Sequence, residues 1–318
     1  MRNVSFYLIL SSLLLSGCFE FCWSASDDDD PPPPVEEEDP TPDPTILGEL
    51  EALSEGECPD MSQTGISLFQ SAGETRKVGL AFPAEQGEGM PLIMAFHGLN
   101  LPGSTPVELW LESLQQAADF YNAVIVAPEG LVYQMGLTGE FLGWGFLGDP
   151  ERDLILFDDL RTCMDQGFDI DLNRLSLMGH SGGALWSSVL MMRRTNAVAS
   201  IAEYSGGSDF DIPLLGGPFV SYQDPGREVP TLLVSGGTTD IWPGGGVEFI
   251  NFESTSDNLQ THMVSDGYLV ARCKHDLGHT TWPDDTWILG LEWATRHEFG
   301  EASPMTSDDL PEACVLVD

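Results

Sequence analysis

Ser181 is the residue of this chain whose setting first suggests chemistry. It lies in the pentapeptide "GHSGG", Gly179 to Gly183, which matches the pattern G-x-S-x-G. In a chain with 34 glycines the match alone is weak support. The serine could be a nucleophile presented on a sharp turn between a strand and a helix. It could also only cap the following helix, because serine is a favoured N-cap residue.

The sequence around Ser181 favours the nucleophile. The pentapeptide follows the segment "RLSLM", a predicted strand, and precedes "GALWSSVLMMRR", a predicted helix. This is the strand, turn and helix setting that a nucleophilic serine requires. A side chain at Gly179 or Gly183 would crowd the turn, so the two glycines suit the same interpretation.

A serine hydroxyl attacks efficiently only when a neighbouring base takes its proton, and this base should come late in the chain. His275 and His279 both follow the last predicted strand of the sheet, in "CKHDLGHTTW". We favour His279, because Gly278 precedes it in a loop that can bend back over Ser181. His275 is the alternative, although it lies close to the end of the strand.

A carboxylate should orient this base and stabilise its charged form. In the chain order serine, acid, histidine, the acid is expected to follow the strand before the last one. Asp240 stands just beyond the predicted strand Thr231 to Gly237, where glycines allow the chain to turn. Asp209, after the preceding strand, is the main competitor, and we favour Asp240.

Two backbone N–H groups are needed to stabilise the oxyanion that forms when the serine attacks a carbonyl group. The first is expected to be that of Gly182, directly after the nucleophile. The second is expected from Leu99, which follows His97 and Gly98 at the end of an apolar run. We interpret His97 as a structural residue that holds this loop.

Apolar patterning supplies the elements that must position these residues. Continuous or alternating apolar runs predict strands at 66–70, 76–82, 91–98, 123–128, 174–178, 198–204, 231–237 and 268–273. Helical spacing predicts helices at 105–121, 153–167, 182–195 and 285–299, with a further helical stretch before the last strand. The alternation predicts an α/β fold with a mainly parallel central sheet and helices on both faces. Ligand chemistry then belongs at the carboxyl ends of the strands.

Four segments together resemble the α/β-hydrolase fold: "AFHG", "GHSGG", "SGGTTD" and "LGHTTWP". More narrowly, residues 79–300 are similar to the secreted esterases grouped with poly(3-hydroxybutyrate) depolymerases, feruloyl esterases and acetyl xylan esterases. The segment "DIDLNRLSLMGHSGG" resembles the D-x-x-R-(V/I) pattern of this group, with leucine in the last place, and Gly278 to Pro283 resembles its Gly-His-x-x-Pro-like stretch. Leu99 departs from the group, in which a cysteine or another polar residue often follows "HG".

The resemblance implies a carboxylic ester hydrolase that works through an acyl-enzyme, on feruloyl, acetyl or hydroxyalkanoate esters. We expect no cofactor, and because no C-x-x-C pair or His/Cys cluster has the spacing of a zinc site, we expect no metal ion. A serine peptidase or an acyltransferase on the same fold is the closest alternative, because the same three side chains serve all of these reactions. A non-catalytic binding module on a stalk is the alternative from another class. We expect a monomer.

Aromatic residues near the predicted catalytic segments could contact the substrate. The segment 130–152 is long, glycine-rich and aromatic. Its aromatic residues include Tyr133, Phe141, Trp144 and Phe146. Trp242 and Trp282 flank the candidate acid and base. We take Trp144, Trp242 and Trp282 as candidate substrate-binding residues, and the alternative for each is packing in the interior.

The N-terminal segment predicts export and lipid anchoring. Residues 8–15 form an apolar run that is too short to span a bilayer, as in a signal peptide. The run ends in "LSGC", which resembles a bacterial lipobox, so we expect residues 1–17 to be removed and Cys18 to carry a lipid. An ordinary secretory signal is the alternative. The lipid would hold the protein at the cell envelope, outside the cytoplasm, at the outer membrane or the cell surface.

Composition divides the rest of the chain in two. Residues 18–57 are acidic and rich in proline, which is typical of an extended tether, and residues 58–318 are expected to form the catalytic domain. The formal net charge is −39 at pH 7, and 36 of the 51 acidic residues lie at or beyond Met61. Such a surface argues against nucleic-acid binding, which requires basic patches. It suits either a salt-tolerant surface or an ordinary soluble acidic domain.

Six cysteines in an exported protein indicate disulfides rather than metal ligands. Without the lipidated cysteine and Cys22 of the tether, four remain, and four allow three connectivities. In the sheet order that the resemblance implies, Cys163 and Cys273 lie far apart. We therefore expect Cys58 to pair with Cys163 and Cys273 with Cys314. The alternative is a bridge between Cys58 and Cys314, with the other two as buried thiols.

Overall fold

The computed structural model describes residues 43–135, 139–212, 216–244 and 247–317. The expected signal peptide, Cys18 and most of the expected tether lie outside the described residues. The strands are β1 (Gly65–Ser71), β2 (Glu74–Ala81), β3 (Met90–Phe96), β4 (Val124–Pro128), β5 (Leu131–Gln134), β6 (Glu140–Gly143), β7 (Ile170–His180), β8 (Ser200–Tyr204), β9 (Phe210–Ile212), β10 (Gly216–Phe219), β11 (Thr231–Ser235), β12 (Ile241–Gly244), β13 (Val247–Asn251), β14 (Val270–Lys274) and β15 (Cys314–Val317). The α-helices are α1 (Pro106–Tyr121), α2 (Pro150–Gly167), α3 (Gly182–Arg193), α4 (Phe252–Ser265) and α5 (Asp284–Arg296).

Nine of these strands form one sheet, in the order β1-β2-β4-β3-β7-β8-β11-β14-β15. From β4 to β14 in this order, every neighbouring pair is parallel. At one edge β1 and β2 join antiparallel, and at the other edge β15 pairs antiparallel with β14. The predicted fold class, a mainly parallel sheet in an α/β fold, is confirmed.

Helices cover both faces of this sheet. α2, α3 and α4 contribute Phe157, Leu185 and Leu259 to the core on one face, and α1 and α5 contribute Leu114 and Trp293 to the core on the other. β3, β4, β8 and β11 are buried at every residue, which explains their unbroken apolar sequences. Among the described residues, no helix has the length and apolar character needed to cross a membrane.

The eight predicted strands and four predicted helices are all present, with ends that shift by a few residues. Sequence patterns did not predict β15 or three hairpins, β5–β6, β9–β10 and β12–β13. The hairpins were missed because their strands are only three to five residues long. They follow β4, β8 and β11, and therefore they leave the sheet at the carboxyl ends of its parallel strands.

Both expected disulfides are present. Cys58 bonds to Cys163 of α2, 105 residues later, and Cys273 of β14 bonds to Cys314 of β15, 41 residues later. The first bridge ties the segment before β1 to a helix. The second bridge fixes the C-terminal strand to the strand that precedes the candidate base, so it supports the loop that carries His279.

Residues 43–57 pack against the domain, although the sequence analysis placed them in the tether. Arg161 of α2 donates to two backbone carbonyl groups of this segment, and Ser54 donates to the Asp159 carboxylate. Packing therefore begins before the boundary expected at residue 58. Acidic composition does not reveal this packing, because backbone carbonyl groups make the contacts to the buried Arg161.

Candidate active site

Ser181 lies on a sharp turn between β7 and α3, with a backbone φ of 56° and ψ of −122°. A positive φ is costly for a residue with a side chain, and such strain is often found at functional sites. α3 begins so close to β3 that a Cβ on Gly183 would lie 2.1 Å from the carbonyl oxygen of Phe96. The Ser181 side chain makes no capping hydrogen bond to α3. The alternative of a serine that only caps the helix is therefore wrong.

Ser181, His279 and Asp240 form one hydrogen-bonded chain. Ser181 Oγ lies 2.9 Å from His279 Nε2, and His279 Nδ1 lies 2.7 Å from Asp240 Oδ1. Because a carboxylate only accepts hydrogen bonds, Nδ1 carries the proton and donates it to Asp240. His279 Nε2 then has its lone pair free to accept from the Ser181 hydroxyl, which is the arrangement that activates a serine.

Asp240 is fully buried just beyond β11, and donors surround its carboxylate. Its Oδ2 accepts from Ser205 Oγ at 2.9 Å and from the Gly236 N–H at 2.7 Å. Burial alone would raise the pKa of Asp240, but the hydrogen bonds from His279 and Gly236 outweigh burial and hold that pKa below its usual value. Asp240 therefore stays ionised at neutral pH and can stabilise a charged imidazole.

The loops that carry the acid and the base touch each other. The Gly278 N–H donates to the Gly236 carbonyl oxygen at 3.1 Å. A Cβ on Gly236 would lie 2.1 Å from the Gly278 carbonyl oxygen, so only glycine permits this approach. The ring of Phe252, at the start of α4, stacks on the His279 ring with centroids 4.4 Å apart. These contacts fix the imidazole between Asp240 and the nucleophile.

The two competing residues make other interactions. Asp209 accepts from the Ser208 hydroxyl and lies 3.2 Å from His262 Nε2. His275 Nδ1 accepts from the Leu277 N–H and so fixes a turn of its own loop. Within the part of the chain that the structure describes, neither residue hydrogen-bonds to the serine or to the favoured histidine.

The Leu99 nitrogen lies close to Gly182, the residue that follows Ser181. A Cβ on Gly182 would lie 3.3 Å from the Leu99 nitrogen, and one on Gly98 would lie 3.0 Å from the Ser181 Cβ. The Gly182 N–H is among the first N–H groups of α3, which have no acceptor within the helix. Both amides are therefore candidates for an oxyanion hole.

His97 holds the loop that contains Leu99, as its position in the sequence suggested. Its Nδ1 donates to the Gly98 carbonyl at 2.7 Å, and its Nε2 accepts from the Gly130 N–H at 2.9 Å. Burial lowers the pKa of His97 to about 4. The ring is therefore neutral at neutral pH and keeps both hydrogen bonds.

Trp144 supports the same loop from the interior of the domain. It is fully buried, its Nε1 donates to the His97 carbonyl at 2.8 Å, and its ring meets that of Phe96 edge-on at 5.1 Å. The expectation that Trp144 binds substrate is corrected to its alternative, packing in the interior. Tyr133 is also buried, and its hydroxyl donates to Asp153. Two of the four aromatic residues of the segment 130–152, Tyr133 and Trp144, thus belong to the core.

Trp242 and Trp282 are partly buried, so part of each ring remains accessible. Trp242 of β12 packs edge-on against Phe141 of β6 at 5.4 Å, which joins two of the hairpins at the carboxyl edge of the sheet. Trp282 lies 5.1 Å from His180, ring to ring, and lines a cavity of about 270 Å³ between α1, α5 and the sheet. The accessible parts of both indoles leave them candidates for substrate contact.

Three residues that contact the catalytic candidates were missed by the sequence analysis. They are His180, Ser205 and Phe252. Their shared signal is position, because each stands at or directly after the end of β7, β8 or β13. Among the described residues, no cluster of three or more His, Cys, Asp or Glu side chains is arranged to hold a metal ion.

Comparisons with known proteins point to the fold rather than to a family. No protein-family model matches the chain. A stretch of 131 residues is 28% identical to the nonribosomal peptide synthetase nanA of Aspergillus nanangensis, and it covers 39% of this chain and 5% of that much longer protein. The chain thus spans a small fraction of the curated relative that it matches.

Solved structures match over most of the chain. The native structure of a protein called pOPH superposes with a TM-score of 0.63 at 16% identity, and the match covers 82% of this chain and 96% of that one. A ferulic acid esterase matches with a TM-score of 0.54 at 14% identity over 74% and 97% of the two chains. An S-formylglutathione hydrolase from Agrobacterium tumefaciens matches at 0.52 and 15% identity over 73% and 94%. Together with the sheet order, these likenesses show that the chain has the α/β-hydrolase fold.

Proposed function

We propose that this protein hydrolyses carboxylic esters through a covalent acyl-enzyme on Ser181. The observation that carries the proposal is the hydrogen-bonded chain from Ser181 through His279 to Asp240, with distances of 2.9 and 2.7 Å. A serine bonded to a base that is itself oriented by a buried carboxylate is the arrangement from which nucleophilic acyl transfer is inferred.

The first half of the reaction forms the acyl-enzyme. His279 Nε2 takes the hydroxyl proton of Ser181 while Oγ bonds to the ester carbonyl carbon, and the carbonyl oxygen becomes an oxyanion. The Leu99 and Gly182 N–H groups donate to that oxyanion. As the tetrahedral intermediate collapses, His279 gives its proton to the alkoxy oxygen and the alcohol leaves. The acyl group remains on Ser181.

The second half returns the enzyme to its starting state. His279 Nε2 takes a proton from water while the water oxygen attacks the acyl carbon, and the oxyanion again faces Leu99 and Gly182. Collapse returns the proton from His279 to Ser181 Oγ and releases the carboxylic acid. In both halves the imidazole becomes positive, and the Asp240 carboxylate stabilises that charge.

The comparisons support an ester as the substrate. Two of the structural neighbours carry the names ferulic acid esterase and S-formylglutathione hydrolase. We propose feruloyl, acetyl or hydroxyalkanoate esters, with the accessible parts of Trp242, Trp282 and Phe141 against the acyl or alcohol group. Phe141 and Trp242 contact each other across two hairpins at the carboxyl edge of the sheet, where a ligand is expected.

We also propose that the protein acts outside the cytoplasm. Two disulfides are typical of oxidising compartments. A lipid on Cys18, a signal peptide at residues 1–17 and a tether that reaches the domain remain proposals from the sequence, since those residues lie outside the described ones.

The proposal is tested by a substrate panel on the purified full chain. The panel contains three esters, namely p-nitrophenyl acetate, a feruloyl ester and poly(3-hydroxybutyrate) film, and one amide, an aminoacyl anilide. It therefore distinguishes ester hydrolysis from amide hydrolysis. We expect turnover of at least one ester by the wild type. Ser181→Ala and His279→Ala should each lose several orders of magnitude, and His275→Ala, the matched histidine variant, should stay near wild type. Turnover of the anilide alone, or a folded Ser181→Ala variant with wild-type turnover, would contradict the proposal.

A further inference from the structure

His180 makes a direct hydrogen bond to the backbone of the catalytic histidine. Its Nε2 lies 2.8 Å from the carbonyl oxygen of His279. A carbonyl oxygen can only accept, so His180 must carry its proton on Nε2 and donate it. His180, which directly precedes Ser181 in the chain, is therefore hydrogen-bonded to the backbone of His279.

This contact completes the attachment of the loop around His279. On one side of that residue, the Gly278 N–H donates to the Gly236 carbonyl at 3.1 Å. On the other side, the His279 carbonyl accepts from His180. The Leu277–Gly278 peptide unit and the peptide unit that follows the His279 Cα are thus tied to two different strand ends, those of β11 and β7. Together they fix the direction in which the imidazole leaves the backbone.

The ring of His180 is held in place by three neighbours. It lies 5.1 Å from the His279 ring and 5.1 Å from the Trp282 ring, centroid to centroid. A Cβ placed on Gly98 would lie 3.3 Å from its Nδ1, so the loop that carries Leu99 also packs against it. Burial is the main reason why the pKa of His180 falls to about 4, and a neutral ring donates through one nitrogen only.

We propose that His180 is a positioning residue: by donating to the His279 carbonyl it holds His279 Nε2 at bonding distance from Ser181 Oγ. The inference rests on the proposed ester hydrolysis. His180 bonds to the backbone carbonyl of His279 and not to its ring, so it acts through the direction of the His279 side chain. A shift of about 1 Å in a reacting group can cost 100-fold in rate, so the loss of this bond should appear in kcat.

The cavity of about 270 Å³ makes the proposal testable by substitution. His180 and Trp282 form part of its wall, so the His180 side chain has open space on one side. His180→Phe keeps a flat ring and removes the donor. His180→Gln removes the ring and keeps an N–H donor at a similar reach. The open space lies on the cavity side of the ring, away from Gly98 and the turn at Ser181, and we expect both side chains to use it.

A matched control lies elsewhere in the chain. His297 is also buried, and its Nδ1 lies 2.8 Å from the carbonyl oxygen of Trp293, four residues earlier. His297→Phe therefore removes a histidine-to-carbonyl hydrogen bond, together with a bond between Nε2 and Ser303 Oγ, away from the hydrogen-bonded chain. It reports what such a loss does to stability alone.

The kinetic test compares these variants on p-nitrophenyl acetate. We expect His180→Phe to lower kcat by about 10- to 100-fold with KM unchanged. We expect His180→Gln to recover most of the loss and His297→Phe to keep wild-type kcat. Wild-type kcat in His180→Phe, or an equal loss in His180→Gln, would overturn the proposal. A fully active Ser181→Ala variant would instead overturn the proposed function, so the two failures are distinguishable.

A second measurement needs no variant to be active. In the ¹⁵N-labelled wild type, the nitrogen shifts of the His180 ring distinguish its two neutral tautomers, and the signal is assigned by its absence from His180→Gln. We expect the proton on Nε2 at neutral pH. A ring that carries its proton on Nδ1 cannot donate to the His279 carbonyl, and this result would overturn the proposal.

Discussion

Asp240→Asn tests the proposed role of the Asp240 carboxylate alone, because it leaves every other side chain of the site unchanged. Asp240 is fully buried and its Oδ1 lies 2.7 Å from His279 Nδ1. Asparagine keeps the size of the side chain but removes the charge. It also replaces one acceptor by an amide that can only donate, in a place where three donors converge from His279, Ser205 and Gly236.

The expected loss follows from the charge. Two unit charges about 4 Å apart attract each other by about 4 kcal/mol at an effective dielectric constant of 20. The imidazole is positive only as the reaction proceeds, so this attraction lowers the barrier rather than the ground state. A loss of about 4 kcal/mol corresponds to roughly 1,000-fold in kcat. The amide adds a second effect. If its NH₂ group faces the Gly236 N–H, two donors oppose each other. If the NH₂ group faces His279 Nδ1, the imidazole must carry its proton on Nε2 and cannot accept the proton of Ser181.

The assay is kcat for p-nitrophenyl acetate at neutral pH, with folding checked by circular dichroism. Asp209→Asn is the matched control, because Asp209 is the other aspartate that follows a central strand and it bonds to Ser208 and His262 instead. We expect Asp240→Asn to lose roughly 1,000-fold and Asp209→Asn to keep wild-type kcat. A folded Asp240→Asn variant with wild-type kcat, or a large loss in Asp209→Asn alone, would refute the assignment of the acid.

Three further predictions concern stability and location. Replacing Cys273 and Cys314 together by alanine removes a bridge across 41 residues, and urea unfolding should show a free energy of unfolding lower by about 4 kcal/mol; an unchanged midpoint would contradict this. Burial raises the pKa of Glu203 to about 8, so the native state holds a proton that the unfolded state releases above about pH 4.5. Wild-type stability should therefore fall between pH 5 and 8 relative to Glu203→Gln, by several kcal/mol, on the order of 4; a constant difference between the two proteins would contradict this. In a bacterial host, Cys18→Ser should abolish labelling by radioactive palmitate, and persistent labelling would mean that the lipobox interpretation is wrong.

The central strands and the three catalytic candidates could be predicted because their signals are local. β3 and β4 are buried on both faces, which leaves unbroken apolar runs in the sequence. Ser181, Asp240 and His279 each come shortly after a predicted strand, namely β7, β11 and β14. Once the chain order of a serine hydrolase is assumed, few other residues can take their places.

Other features depend on contacts that no local pattern encodes. From the sequence, Trp144 could have faced a ligand or the core. The structure buries it, and its Nε1 donates to the carbonyl of His97, which lies 47 residues earlier in the chain. β15 is four residues long, and only its pairing with β14 makes it a strand. The bridge between Cys273 and Cys314 could be predicted because the cysteines are visible in the sequence. β15 could not be predicted, because the register in which it pairs with β14 is not visible there.

His180 illustrates the same limit inside a motif. The pattern G-x-S-x-G fixes the glycines and the serine and leaves the second position open. Its side chain acquires a role only through the carbonyl of a residue 99 positions later in the chain. The sequence could therefore point to Ser181 as the candidate nucleophile, but it could not show that His180 hydrogen-bonds to the backbone of His279.

The most direct test of the central claim is to locate the reactive serine. The full chain is treated with a fluorophosphonate, which reacts only with activated nucleophiles, and the adduct is mapped by mass spectrometry of the digested protein. We expect one adduct per chain, on Ser181, with ester hydrolysis lost in proportion to labelling. Hydrolysis that persists in a protein fully labelled at Ser181, or that is lost with the adduct on another residue, would contradict the account.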